Sequence, residues 1–167
     1  MHSVPQAGET VGPDEVWAAV RDLGAERIGH GIGAAGGPRV VEHLAEHGIP
    51  LEVCLTSNVQ TGAAPSFEEH PLRRYYDEDL VLSLNTDNRL MSGTSMSQEF
   101  EHLTEAFGYT LDDMQWFTVN AMKSAFIPFD ERLAMINDVV KPGYAELKSE
   151  WLFRQTAVTS ASSSLAG

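Results

Sequence analysis

The chain has 167 residues, a length typical of one domain. Its 11 lysines and arginines against 24 acidic residues leave a net charge of −13, which disfavours nucleic acid and anionic membrane surfaces as partners. Apolar residues make up 43% of the chain, enough for a buried core. The absence of a long apolar run, of a visible signal peptide and of a second cysteine favours the cytoplasm.

The first half of the chain alternates predicted strands and helices. Helices are predicted over 13–23, 38–47 and 71–77, and strands over 27–29, 51–55 and 80–84. The tract Thr56-Ser57-Asn58 is predicted as a polar turn, and a strand in the short N-terminal stub would be a fourth. Strands that alternate with helices are expected to be parallel and buried on both faces.

The second half of the chain is predicted to be helical over 97–107, 111–126, 130–139 and 142–154. Gly108, Pro128 and Pro142 separate these helices. Residues 155–167 are mostly Ser, Ala and Thr and are predicted to form a disordered tail, which leaves 1–154 as one domain. Three or four strands cannot close an eight-stranded barrel, so either the sheet is open and capped by helices or half of a barrel is missing.

Polar side chains recur where the predicted strands end: Glu9, His30, Ser57-Asn58 and Asp87-Asn88. In parallel α/β folds this edge of the sheet is where ligands bind and catalysis occurs. The alternative is that each of these residues only forms a turn or caps a helix.

Three motifs resemble those of the adenosine deaminase family, in the same order and at similar spacing. They are Glu-Arg-Ile-Gly-His-Gly over 26–31, Leu-Glu-Val-Cys-Leu-Thr-Ser-Asn-Val-Gln-Thr over 51–61, and Ser-Leu-Asn-Thr-Asp-Asn over 83–88. The resemblance covers about residues 6–150 and is to the C-terminal half of the bacterial enzymes. It implies a partial TIM (β/α)8 barrel with about the last three to four βα units plus C-terminal helices.

The resemblance also implies roles for five residues. Glu9 matches the acid that protonates purine N1, and His30 matches the histidine that orients the attacking hydroxide on zinc. Asp87 matches a zinc ligand, and Gly8 and Asn88 match substrate-binding positions. Asn88 replaces an aspartate found in many members, and its amide can donate a hydrogen bond to purine N7.

Two departures concern the metal. Gln6 stands where the family has a zinc-binding histidine, and a neutral amide oxygen is a poor zinc ligand. The family's His-X-His pair is absent from this sequence. The resemblance therefore implies Zn²⁺ for the family, whereas this chain alone is expected to hold it poorly.

Other candidate residues have simpler interpretations. His43 and His47 share one face of a predicted helix, where a solvated surface is favoured over a metal pair. Cys54 lies in an apolar strand and is predicted to be a buried, inert thiol. His2, His70 and His102 have no partner that the sequence reveals.

Three hypotheses follow. The first is a truncated adenosine deaminase that converts adenosine to inosine and ammonia only with a complementary N-terminal half, and is inactive alone. The second is a non-catalytic, degenerate half-barrel that acts as an interaction or purine-binding domain, through self-association or a partner. The third is purine binding without a metal.

Overall fold

The structure is a computed structural model that describes the backbone of residues 1–164 and the side chains of residues 1–152. Its strands are β1 (Gln6–Ala7), β2 (Ile28–His30), β3 (Leu51–Val53) and β4 (Leu82–Leu84). Its helices are α1 (Pro13–Leu23), α2 (Pro38–His47), α3 (Leu55–Gln60), α4 (Leu72–Asp77), α5 (Arg89–Ser92), α6 (Met96–Phe107), α7 (Leu111–Lys123), α8 (Phe129–Ala134) and α9 (Lys141–Ser164). A 3₁₀ helix covers Ile32–Gly36, and a π-helical turn covers Met135–Val140.

The four strands form one parallel sheet in the order β1-β2-β3-β4. Gln6 is in register with Gly29, and Leu51 is in register with both Ile28 and Leu82. This sheet confirms the predicted α/β class, and the N-terminal stub supplies the fourth strand. Each helix that crosses between neighbouring strands brings the chain back in the same direction, so the carboxyl ends of all four strands share one edge.

The core lies between the sheet and the helices that flank it. Ile28, Leu51 and Leu82 are completely buried in the sheet. Val16 of α1 and Leu44 of α2 are also completely buried, on the faces that helical periodicity predicts. Nearly every residue of β2, β3 and β4 is buried, as expected for a parallel sheet covered on both faces.

Helices α1 and α2 begin and end where the sequence predicts. Each starts with a proline whose missing N–H is not needed in the first turn, and each ends at a glycine in the left-handed region, Gly24 and Gly48. These local signals suffice because the proline and glycine act within a single turn of backbone.

The prediction of a turn over Thr56-Ser57-Asn58 was wrong, since these residues lie in α3. Their intrinsic helix propensity is low, but tertiary contacts outweigh it. Leu55 is completely buried, and the carboxylate of Glu99 on α6 accepts a hydrogen bond from the Thr56 N–H at 3.2 Å. The sequence therefore could not show this helix, because its first turn is stabilised by a residue from a distant segment.

The sequence predicted that Pro142 separates two helices, and this prediction was wrong. Pro142 lies in the first turn of α9, which directly follows the π-helical turn and α8. A proline lacks the N–H that an α-helix would use, and its ring crowds the preceding turn. The rare π-helical turn lies directly before this position, and the chain remains helical through it.

The chain divides into two compact units, Met1–Phe126 and Ile127–Gly167. The sheet and helices α1–α7 belong to the first unit, and α8, the π turn and α9 belong to the second. The division into a domain over 1–154 and a tail over 155–167 stays a prediction. The side chains of this tail are not among those described, and residues 165–167 lie outside the described residues. Over the described helices, none combines the length and apolar character that crossing a bilayer requires.

Candidate active site

Three of the residues singled out in the sequence converge at the carboxyl edge of the sheet. Glu9 follows β1, His30 ends β2 and Asp87 follows β4. Each offers one nitrogen or oxygen atom within 4.8 Å of those of the other two. His30 Nε2 lies 3.6 Å from Glu9 Oε2. Turn formation alone does not require such convergence of side chains that are 21 and 57 positions apart in the sequence.

The backbone is unusual at two of these residues. His30 has φ of 63° and Asp87 has φ of 53°, in the left-handed region that residues with a Cβ rarely adopt. Such conformations persist only where the surroundings enforce them, and they cluster at functional sites. Next to His30, the buried Tyr75 hydroxyl donates to the Ile32 carbonyl oxygen at 2.7 Å and stabilises the following turn.

Asp87 is held by Ser57, a residue of the motif over 51–61. The Ser57 hydroxyl donates to Asp87 Oδ2 at 2.9 Å. Asp87 itself is exposed, whereas Ser57 is buried in α3. The hydrogen bond fixes one carboxylate oxygen from a rigid position, which suits a side chain that must hold a ligand in a defined place.

His30 is connected to a second histidine through Asn58. Asn58 Nδ2 lies 3.2 Å from His30 Nδ1, and Asn58 Oδ1 lies 3.2 Å from His70 Nε2. All three residues are buried. The sequence revealed no partner for His70, because the residue it meets lies 12 positions before it and on another element. Burial lowers the pKa of His70 to about 4, so this imidazole is neutral near pH 7.

The two predicted substrate-binding residues have well-defined local contacts. The Gly8 N–H donates to Glu15 Oε2 at 2.6 Å. Asn88 caps α5, because its Oδ1 accepts from the N–H groups of Leu90 and Met91, each at 3.2 Å. Asn88 therefore caps a helix, and the cap uses Oδ1 locally and leaves Nδ2 as a donor.

A cleft of about 380 Å³ lies beside Glu9. It is lined by Gly8, Glu9, Ile32, Gly33 and Thr61, among others. This volume is within the usual range of about 300–1,000 Å³ for small-molecule sites. The cleft therefore offers room for a ligand of nucleoside size next to a carboxyl group.

Glu9, His30 and Asp87 do not make a complete zinc site. The cluster contains one imidazole and two carboxylates, and within the described residues no further histidine or cysteine joins it. Gln6 is exposed, and it stands where the family has a zinc-binding histidine. Catalytic zinc usually has three protein ligands rich in imidazole, with the catalytic acid outside the coordination shell. The residues present thus do not fit a tightly bound zinc ion without further ligands.

The remaining histidines and the cysteine have other surroundings. The ring centroids of His43 and His47 on α2 lie 3.9 Å apart, with the rings tilted by 31°. His2 lies 2.9 Å from a Glu26 oxygen, and His102 stacks on Phe67. Cys54 is buried, as predicted, and burial raises the pKa of its thiol, which disfavours a nucleophilic role.

The sequence is similar to proteins of known family. The adenosine deaminase family model matches residues 1–142. Adenosine deaminase 1 of Streptomyces coelicolor is 59% identical over 173 residues, which cover 97% of this chain and 44% of that protein. The adenosine deaminase of Mycobacteroides abscessus is 49% identical over 152 residues, covering 84% of this chain and 42% of that protein.

Two solved structures are similar to the fold. Adenine deaminase from Arthrobacter aurescens superposes with a TM-score of 0.81 and 26% identity, over 84% of this chain and 43% of that protein. An amidohydrolase with bound zinc from Burkhoderia ambifaria gives a TM-score of 0.81 and 25% identity, over 90% of this chain and 42% of that protein. The chain spans less than half the length of these relatives. Its parallel sheet with flanking helices is a partial TIM barrel, as predicted. The chain belongs to the adenosine deaminase family.

Proposed function

We propose that this chain is the C-terminal part of a zinc-dependent enzyme that hydrolyses adenosine to inosine and ammonia. The observation that supports the proposal is the convergence of Glu9, His30 and Asp87 at one edge of the sheet, in a chain 59% identical to an adenosine deaminase. We further propose that the chain alone has no turnover, because its own residues do not complete a metal site.

The proposed roles follow from the chemistry of each side chain. Glu9, half-buried beside the cleft, supplies a proton to purine N1 and thereby makes C6 electrophilic. His30 donates a hydrogen bond to the oxygen that attacks C6 and stabilises its developing charge. Asp87 serves as one metal ligand, and the other ligands come from outside the described donor set.

Substrate orientation is proposed to depend on Asn88. The capping of α5 uses Oδ1 and leaves the Nδ2 hydrogens, which suit purine N7, an acceptor. An aspartate there would need to be protonated to do the same. Gly8 is proposed to lie against the purine, and its N–H would have to exchange Glu15 for the ligand.

The missing strands are proposed to come from a complementary N-terminal half or from self-association. β1 and β4 each have one strand neighbour within the described sheet, so each has an open side. Parallel edges of this kind pair readily with further strands. The cytoplasm is the proposed compartment, consistent with a single, buried cysteine.

A complementation experiment tests this function. The chain is mixed with the part of Streptomyces coelicolor adenosine deaminase 1 that it does not cover, together with Zn²⁺, and loss of adenosine is followed by absorbance. We expect no turnover from either part alone and turnover from the mixture. We expect Gln6→His to raise zinc affinity and activity of the mixture by about tenfold or more, since imidazole replaces a weak ligand.

A matched pair of carboxylate variants identifies the acid. In the active mixture, Glu9→Gln should lower kcat by about 10²- to 10⁴-fold, because the proton donor is lost. Glu42→Gln, an exposed change on α2, should leave kcat unchanged. An active mixture in which both variants behave alike would contradict the role of Glu9.

The second candidate function is a non-catalytic half-barrel that binds a partner or a purine. Gln6 favours it, because removal of strands alone would not replace a ligand histidine. Calorimetry with adenosine, with and without Zn²⁺, distinguishes the candidates. Metal-independent binding by an inactive mixture would support this second function.

A further inference from the structure

The buried contacts behind His30 form a chain of hydrogen bonds with a defined direction. The Leu72 N–H donates to His70 Nδ1 at 3.0 Å. His70 Nε2 lies 3.2 Å from Asn58 Oδ1, and Asn58 Nδ2 lies 3.2 Å from His30 Nδ1. Asn58 is completely buried, and both histidines are 3% exposed, so water does not compete for these groups.

The direction of this series of hydrogen bonds follows from its first donor, the Leu72 N–H. A backbone N–H can only donate, so His70 Nδ1 must be the unprotonated nitrogen. His70 is neutral because burial opposes its charged form, and its hydrogen is therefore on Nε2. The Asn58 atom that faces Nε2–H must then be the carbonyl oxygen, which turns the amide hydrogens of Asn58 toward His30. His30 Nδ1 must accept.

We propose that His70 and Asn58 are positioning residues that hold His30 in the tautomer with its hydrogen on Nε2. This places an N–H donor toward the cluster, where His30 Nε2 lies 3.6 Å from Glu9 Oε2. A neutral imidazole with hydrogen on Nε2 donates there and cannot ligate a metal through that atom. The role of this donor in deamination rests on the proposed function; the tautomer itself does not.

This arrangement gives the buried polar side chains of Asn58 and His70 a role in orienting His30. A neutral imidazole in water exchanges between two tautomers, and only one presents a donor to an attacking oxygen. A fixed donor needs no reorganisation when charge develops. Asn58 contributes to this selection from α3 and His70 from the bend before α4, and the Leu72 N–H at the start of α4 sets the direction.

Nitrogen NMR of the ¹⁵N-histidine-labelled chain measures the tautomer directly. At pH 8, where an ordinary imidazole is neutral, we expect His30 to show an unprotonated Nδ1 and a protonated Nε2. His30→Gln assigns the signal by its loss. A protonated Nδ1 in the unaltered chain would overturn the proposal, whatever the variants show.

Variants separate selection of the tautomer from general packing. Asn58→Asp is nearly isosteric but presents only acceptors, so we expect the His30 hydrogen to move to Nδ1. Asn85→Asp makes the same chemical change on a half-buried residue that bonds to Ser83, and we expect no change at His30. An unchanged tautomer in a folded Asn58→Asp chain would also overturn the proposal.

Rescue at His70 provides a second route if the aspartate variant does not fold. The glutamine side chain introduced by His70→Gln can accept from the Leu72 N–H and donate to Asn58, so the His30 tautomer should be retained. His70→Leu removes both functions and should give a mixture of tautomers. Identical His30 spectra for these two variants would contradict the proposal. Because neither zinc nor adenosine is present, a failure of the deaminase proposal would leave these results unchanged.

Discussion

At the scale of single residues, the site depends on buried polar groups that satisfy one another. Asn58 links two histidines, and Glu99 links α6 to α3. Buried groups of this kind contribute modestly when paired but cost much when one partner is removed. The sequence shows these residue types without showing which of them meet.

Removal of the Glu99 carboxylate should destabilise the protein. Glu99 is completely buried and accepts from the Thr94 hydroxyl at 2.7 Å and from the Thr56 N–H at 3.2 Å. Glu99→Leu removes the acceptor that these two donors share, and we expect a loss of about 1–3 kcal/mol in the free energy of unfolding, measured with urea. Glu101→Leu, at an exposed position of the same helix, should change it little. Equal effects would contradict the role of these hydrogen bonds.

Gly8 should not tolerate a side chain. Its φ is +71°, and an added Cβ would collide with the Val16 side chain. Gly8→Ala should therefore lower the free energy of unfolding by more than about 1 kcal/mol. Gly12→Ala, where nothing lies within 4 Å of an added Cβ, is the control and should be close to neutral. Thermal unfolding of both variants checks the difference.

At the scale of elements, capping and tertiary contacts share control of the helices. Prolines and glycines define α1 and α2 from the sequence alone. Helix α7 begins with a capping box, in which Thr110 and Asp113 satisfy each other's backbone N–H groups. The short helix α3, by contrast, depends on a contact with α6 that only the folded chain provides.

The Thr110 cap should be worth about 1 kcal/mol. Thr110→Ala leaves the Asp112 N–H without its side-chain acceptor at the start of α7. We expect the urea midpoint to fall by a corresponding amount. Thr104→Ala, in the exposed part of α6, should be neutral or slightly stabilising because alanine favours a helix. A stable Thr110→Ala variant would show that α7 is held by packing alone.

The same cap should make stability depend on pH. Burial opposes ionisation of Asp113, but hydrogen bonds from Thr110 and Tyr76 outweigh it, so its pKa lies below the ordinary 3.8. The ionised form is favoured in the folded state, so this contribution is present above pH 3.8 and is lost as the pH falls through the lower folded pKa. Asp113→Asn should flatten the acid side of the Tm profile. An unchanged profile would contradict this assignment.

At the scale of the whole molecule, an open parallel sheet explains why function is proposed to require another segment. β1 and β4 each lack a second strand neighbour within the described sheet. Relatives of more than twice this length belong to the same family. A TIM barrel has eight strands, and its active site is built from loops at one end of all of them.

Binding of the complementary segment should stabilise the chain. Adding the uncovered part of the Streptomyces coelicolor enzyme should raise Tm in a concentration-dependent way, because it binds only the folded state. Sedimentation should show a complex of one copy of each part. Unchanged Tm and sedimentation would favour self-association or the non-catalytic candidate.

The sequence by itself determined the family, the α/β class, the limits of α1 and α2, and the candidate residues Glu9, His30 and Asp87. These follow from local turn chemistry, periodicity and long motifs, which are properties of contiguous residues. The structure alone decided that these three side chains converge, that residues 55–60 are helical and that His70 contacts Asn58. Each of these depends on contacts between segments distant in the chain, and those contacts are set by how the parallel strands align.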